Sequence, residues 1–81
     1  MEKNKCNAEG KREGYWEEYR ENGVIYSKGY YKNGLHDDFW EYFHRNGQLL
    51  HRGSFRNGLM IGYWEFYNKT GEIAMKEYCI K

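Results

Sequence analysis

Large apolar side chains fall along this chain in short clusters, separated by charged residues and Asn-Gly pairs. In GYWEEYRENG, residues 14–23, the rings sit at Tyr15, Trp16 and Tyr19, offsets that suit a helix as well as a strand. The rest of the chain separates the two. Aligned on its tryptophans it reads GYWEEYRENGVIYSKGYYKNGLHD from Gly14, DFWEYFHRNGQLLHRGSFRNGLMI from Asp38 and GYWEFYNKTGEIAMKEYCIK from Gly62, a period of 24 residues. Trp16, Trp40 and Trp64 are each followed by a glutamate and, seven residues on, by Gly23, Gly47 or Gly71. A helix from Tyr15 would run for about seven residues before Asn22-Gly23, too short to be stable. Strands are predicted instead.

Asn-Gly favours a two-residue type I′ hairpin turn, because both central positions need a positive φ that these residues tolerate. Such turns are expected at Asn22-Gly23 and Asn46-Gly47, and at Thr70-Gly71 in the last copy. A second set, Asn33-Gly34 and Asn57-Gly58, links each hairpin to the next. The fold class that follows is all-β: a single-layer, twisted antiparallel meander of about six strands in consecutive hairpins. One domain over residues 1–81 is expected, with repeats at 14–37, 38–61 and 62–81. Gly10 precedes Gly34 by 24 residues, so 5–13 reads as a degenerate half repeat.

Counting outward from a two-residue turn pairs Glu17 with Lys28, Glu41 with Arg52 and Glu65 with Lys76, three complementary charge pairs that favour this register over a slip. The same count sets Trp16 over Gly29 and Trp40 over Gly53, where a ring can shield bare backbone, whereas Trp64 meets Glu77, so the last repeat reads as a cap. Alternation then gives one face Trp16, Ile25, Tyr31, Trp40, Tyr42, Leu49, Phe55, Trp64, Phe66, Ile73 and Met75. The other receives Tyr15, Tyr19, Tyr26, Tyr30, Phe39, Phe43, Leu50, Tyr63, Tyr67, Tyr78 and the charge pairs. With no helix to cover the tryptophan face, either the sheet curls around it or a second molecule covers it.

Composition narrows the function. Thirteen basic and twelve acidic residues are interleaved for a net charge of +1, so no single-sign patch exists to attract nucleic acid, and a lipid surface is weakly supported. At 81 residues there is no room for a large enzyme fold. The start, MEKNKCNAEG, lacks the apolar core of a signal peptide, which makes the cytoplasm the expected location. Cys6 and Cys79 have no metal-ligand spacing and read as free thiols.

The pattern GxWxxYxxNG, followed by YxNGxxxG, resembles the membrane occupation and recognition nexus (MORN) repeat, and within it the variant form common in bacteria. Trp16, Tyr19, Asn22, Gly23, Tyr31, Asn33 and Gly34 carry the match in the first copy. Trp40, Phe43, Asn46, Gly47, Phe55, Asn57 and Gly58 carry it in the second, while the third has Thr70 at the turn and ends at Ile80-Lys81 before any second Asn-Gly. The resemblance implies an elongated sheet of hairpins used as a binding or scaffolding surface, with lipid-headgroup, partner-protein and antitoxin roles among family members. Some members accompany a phosphatidylinositol phosphate kinase domain. Nothing here provides the glycine-rich loop or the lysine and aspartate set of a kinase.

Catalytic and metal readings find little support. His44 and His51 flank a turn without a third ligand, and His36-Asp37-Asp38 reads as a solvated link. The glutamates after each tryptophan face basic residues, which suits permanently ionised structural groups. No cofactor and no enzyme activity are expected. The expected function is a non-catalytic protein-interaction or scaffolding module with an unidentified protein partner, in which self-association is one expected form. The candidate surface is Trp16, Trp40, Tyr42, Trp64, Phe66 and Tyr78. The alternative is an aromatic-lined site for choline, glycan or lipid headgroup.

Overall fold

A computed structural model of the chain describes residues 3–79. Ile80 and Lys81, which close the third repeat in sequence, lie outside the described residues. The strands are β1 (Lys5–Cys6), β2 (Arg12–Tyr19), β3 (Ile25–Lys32), β4 (Leu35–Phe43), β5 (Leu49–Arg56), β6 (Leu59–Tyr67) and β7 (Ile73–Cys79). They form one open antiparallel sheet in chain order, seven strands where about six were expected. The additional strand is the two-residue β1, where Lys5 pairs with Glu13 and Cys6 with Arg12.

The turns within the repeats are not the expected two-residue type I′ turns; that geometry is found at the links. At Asn33-Gly34 and Asn57-Gly58 both residues have positive φ, 52° and 81° in the first and 51° and 83° in the second, so the links between repeats are the two-residue type I′ turns. Within a repeat only the glycine is left-handed, with φ 89° at Gly23, 90° at Gly47 and 95° at Gly71. There the Arg20 N–H donates to the Val24 carbonyl at 2.8 Å and the Gly23 N–H to the Arg20 carbonyl at 2.9 Å, closing a three-residue loop.

An odd loop ought to slip the register, and a bulge restores it. Tyr19 pairs with Ile25 and Glu18 with Ser27, leaving Tyr26 as the extra residue on β3. Leu50 and Ala74 are extra in the same way on β5 and β7. Beyond the bulge Glu17 meets Lys28, Glu41 meets Arg52 and Glu65 meets Lys76, as the sequence predicts. Between bulge and turn the faces change over. Ile25, Leu49 and Ile73 pair with Tyr19, Phe43 and Tyr67, so they leave the tryptophan face, while the Tyr26 ring turns edge-on to Tyr42 at 6.4 Å.

The core lies on the tryptophan face and is supplied by the chain itself. Trp40 and Trp64 are each 1% exposed, with Tyr31 and Ser27 also buried. Trp16 pairs with Gly29 and Trp40 with Gly53 as the sequence predicts, but each of the two buried indoles leans back over the preceding strand, Trp40 onto Gly29 and Trp64 onto Gly53, so the ring expected to cover each glycine is corrected by one strand. A carbonyl explains the direction. Trp40 Nε1 donates to Tyr30 O at 2.8 Å and Trp64 Nε1 to Ser54 O at 3.2 Å, satisfying the indole where it is buried. Trp16 repeats this against β1, donating to Lys5 O at 2.8 Å, and stays half-buried.

Candidate interaction surfaces

The tryptophan face is a continuous lattice of rings. Tyr31 meets Trp16 and Trp40 edge-on at 5.9 and 5.0 Å, and Phe55 meets Trp40 and Trp64 edge-on at 6.4 and 5.0 Å. Tyr42 stacks on Trp40 at 5.9 Å, and burial pushes its phenol up to about 12. His51 fills the space between Tyr42 and Phe66, at 4.5 and 5.3 Å. Of the six residues expected to form an interaction surface, Trp40 and Trp64 are therefore core, and Trp16, Tyr42 and Phe66 are half-buried beside them. Tyr78 is 57% exposed and lies on the opposite face.

The histidine readings are corrected by the same lattice. His36 is not in a solvated link: β4 begins at Leu35, and His36 sits 4.3 Å from Trp40 and 4.9 Å from both Tyr31 and Phe55. Desolvation lowers the pKa of both His36 and His51. His44 is a tie between hairpins, with Nε2 3.0 Å from the Tyr67 carbonyl. Arg20, one repeat earlier, reaches Phe43 O at 2.9 Å in the same way. Position, not chemistry, reveals His36: Arg12 precedes it by 24 residues, and its guanidinium lies 4.3 Å from the Trp16 ring.

On the other face the charge pairs join into a ladder. Cα pairing runs Glu17, Lys28, Glu41, Arg52, Glu65, Lys76, alternating in sign across β2 to β7. The close ion pairs bridge successive repeats, with Lys28–Glu41 at 3.6 Å and Arg52–Glu65 at 2.9 Å, while Lys3 takes Glu17 at 2.8 Å. Tyrosines two residues away add to the acids: Tyr15 donates to Glu17 at 2.8 Å, Tyr19 also donates to Glu17, and Tyr67 donates to Glu65 at 2.6 Å. Glu17 is held down to about 2, first by Lys3 and then by the tyrosines. Glu65 is lowered by Tyr67 and then Arg52. These carboxylates are fixed as anions, which removes them as general acids near neutral pH.

Aromatic side chains flank the ladder. On one side Tyr19, Phe43 and Tyr67 lie beneath Lys3, Lys28 and Arg52 at 5.3, 5.7 and 5.7 Å. On the other, Tyr15 contacts Tyr30 at 5.4 Å and Tyr63 contacts Tyr78 at 4.5 Å, with Phe39 between. Tyr63 is 74% exposed and Phe39 43%. Alternation places this second row on the ladder face, and of its members only Tyr78 belongs to the surface expected from the sequence. The row's signal is the aromatic immediately before each tryptophan.

Among the described residues no group of three or more His, Cys, Asp or Glu side chains is placed to hold a metal ion, and Cys6 and Cys79 are free. No helix among them is long and apolar enough to cross a membrane.

Comparison with known families decides the identity of the repeat. The MORN repeat variant family matches residues 12–33 and 40–57. The chain is a MORN repeat protein. No curated protein and no solved structure matches it significantly. MORN repeats are generally non-catalytic modules of protein or membrane interaction. The two matched stretches include both partners of the Trp40–Gly29 contact, and Gly53 but not Trp64 of the other.

Proposed function

We propose that this MORN repeat protein is a non-catalytic, cytoplasmic protein-interaction module that engages its partner through the ladder face. The observation that carries the reading is the division of its rings. Trp40 and Trp64 are spent on the core, while Phe39, Tyr63 and Tyr78 remain open on the face that carries the charge ladder. Exposed rings on a rigid, largely self-neutralised surface suit another protein, because aromatic anchors supply much of the energy of such contacts and aligned charges set their register. A choline or glycan site needs open cages or platforms on the tryptophan face. There the two most buried rings offer no stacking surface.

Affinity capture with the wild type and with a Tyr63→Ala, Tyr78→Ala double variant tests this. The wild type is expected to retain a defined protein, and the variant to bind it at least ~10-fold more weakly. Both side chains are exposed, so thermal unfolding should change little. Retention on choline resin or a glycan array, with no protein captured, would replace this reading with ligand binding. A concentration-dependent mass by light scattering would identify the partner as a second copy.

A further inference from the structure

We infer that the outer edge of β7 is a selective strand acceptor. Resting on the protein-binding reading above, it takes an extended segment of another protein that carries an acidic residue followed two places on by an aromatic, and it excludes any strand with tryptophan just before that acid.

Among the described residues β7 pairs with β6 alone, and Ile73 through Tyr78 are exposed. The repeat defines what its cations require. Lys3, Lys28 and Arg52 each reach forward to the glutamate of the following strand and lie over the ring two residues beyond it, using Glu17 and Tyr19, Glu41 and Phe43, or Glu65 and Tyr67. Lys76 is the next rung, with Glu65 behind it and, among the described residues, no strand paired on its other side. An incoming acid followed by a ring completes the pattern that three cations already make.

The other face supplies the exclusion. Glu77 stands 48 residues after Gly29 and 24 after Gly53, at the position where the tryptophan of the following strand lies down. A Cβ at Gly29 would come within 2.1 Å of the Trp40 ring, and one at Gly53 within 2.2 Å of Trp64. Glu77 therefore forbids the stacking mode of the chain's own repeats. The carboxylate favours a basic residue in the slot a tryptophan would occupy.

Two labelled peptides test the edge against the intact chain by fluorescence anisotropy: one with the sequence of residues 35–43, LHDDFWEYF, and its Trp40→Lys form. The wild type is expected to bind the lysine form at least ~10-fold more tightly. Glu77→Gly should reverse that order. Glu77→Ala removes the charge but keeps the Cβ, so it should still reject the tryptophan peptide. Lys76→Glu should weaken the lysine peptide by about 10-fold. Equal binding of both peptides to the wild type, or binding of neither, overturns the inference. If neither binds while Glu77→Gly and Lys76→Glu still capture the protein partner, the edge assignment alone fails. If the peptides behave as expected but no protein is captured, the edge assignment stands and the ladder-face reading fails.

Discussion

Trp64→Ala is expected to destabilise the protein by ~3–5 kcal/mol, enough to leave a chain of this size largely unfolded. The indole is 1% exposed, covers Gly53, touches Phe55 edge-on at 5.0 Å and satisfies its N–H on Ser54 O. In a one-layer sheet no second layer can collapse into the void, so the loss falls at the upper end of what cavity formation costs. Trp16→Ala is the control. Its ring is half-buried against the short β1 and should cost less than half as much. Urea unfolding of the two variants gives the comparison.

The second large effect comes from adding a single methyl group. Gly29 is buried and its φ is not left-handed, so what the position requires is space. Alanine there would place its Cβ against the Trp40 ring at 2.1 Å, with backbone on both sides preventing an easy shift. Overpacking of this kind costs ~1–3 kcal/mol and more where nothing yields. In a Trp40→Ala background the clash disappears, so the two substitutions should be strongly non-additive in denaturation measurements. Additive losses would mean that Gly29 serves a purpose other than seating the ring.

The sheet itself was legible because the 24-residue period and its Asn-Gly punctuation are incompatible with helices. The ladder was legible because opposite charges meet only in one register. Turn type was not. Asn-Gly serves a type I′ turn, where both residues are left-handed, and equally the three-residue loop, where only Gly23 or Gly47 is. The compensating bulge at Tyr26 or Leu50 leaves no compositional trace, and it moved Ile25 and Leu49 to the other face while the ladder stayed in place. Gly29 lies between Trp16 and Trp40, and pairing alone cannot say which ring takes it. A free carbonyl on Tyr30 decides for Trp40. His36 was misplaced because two aspartates follow it. The left-handed Asp38, φ 65°, occupies an irregularity within β4 instead of a loop, and so keeps His36 in the strand.

The burial of Trp40 and Trp64 by the chain itself is the central claim, since it takes these two rings out of any binding surface and directs a partner to the ladder face and the β7 edge. Hydrogen exchange of the indole N–H groups, followed by NMR at concentrations where light scattering reports a monomer, tests it most directly. Trp40 and Trp64 should exchange slowly, at rates independent of concentration, and Trp16 faster than either. Exchange of Trp40 or Trp64 at the rate of a free indole in the monomer, slowing only as the protein associates, would contradict the account and make the tryptophan face an interface between molecules.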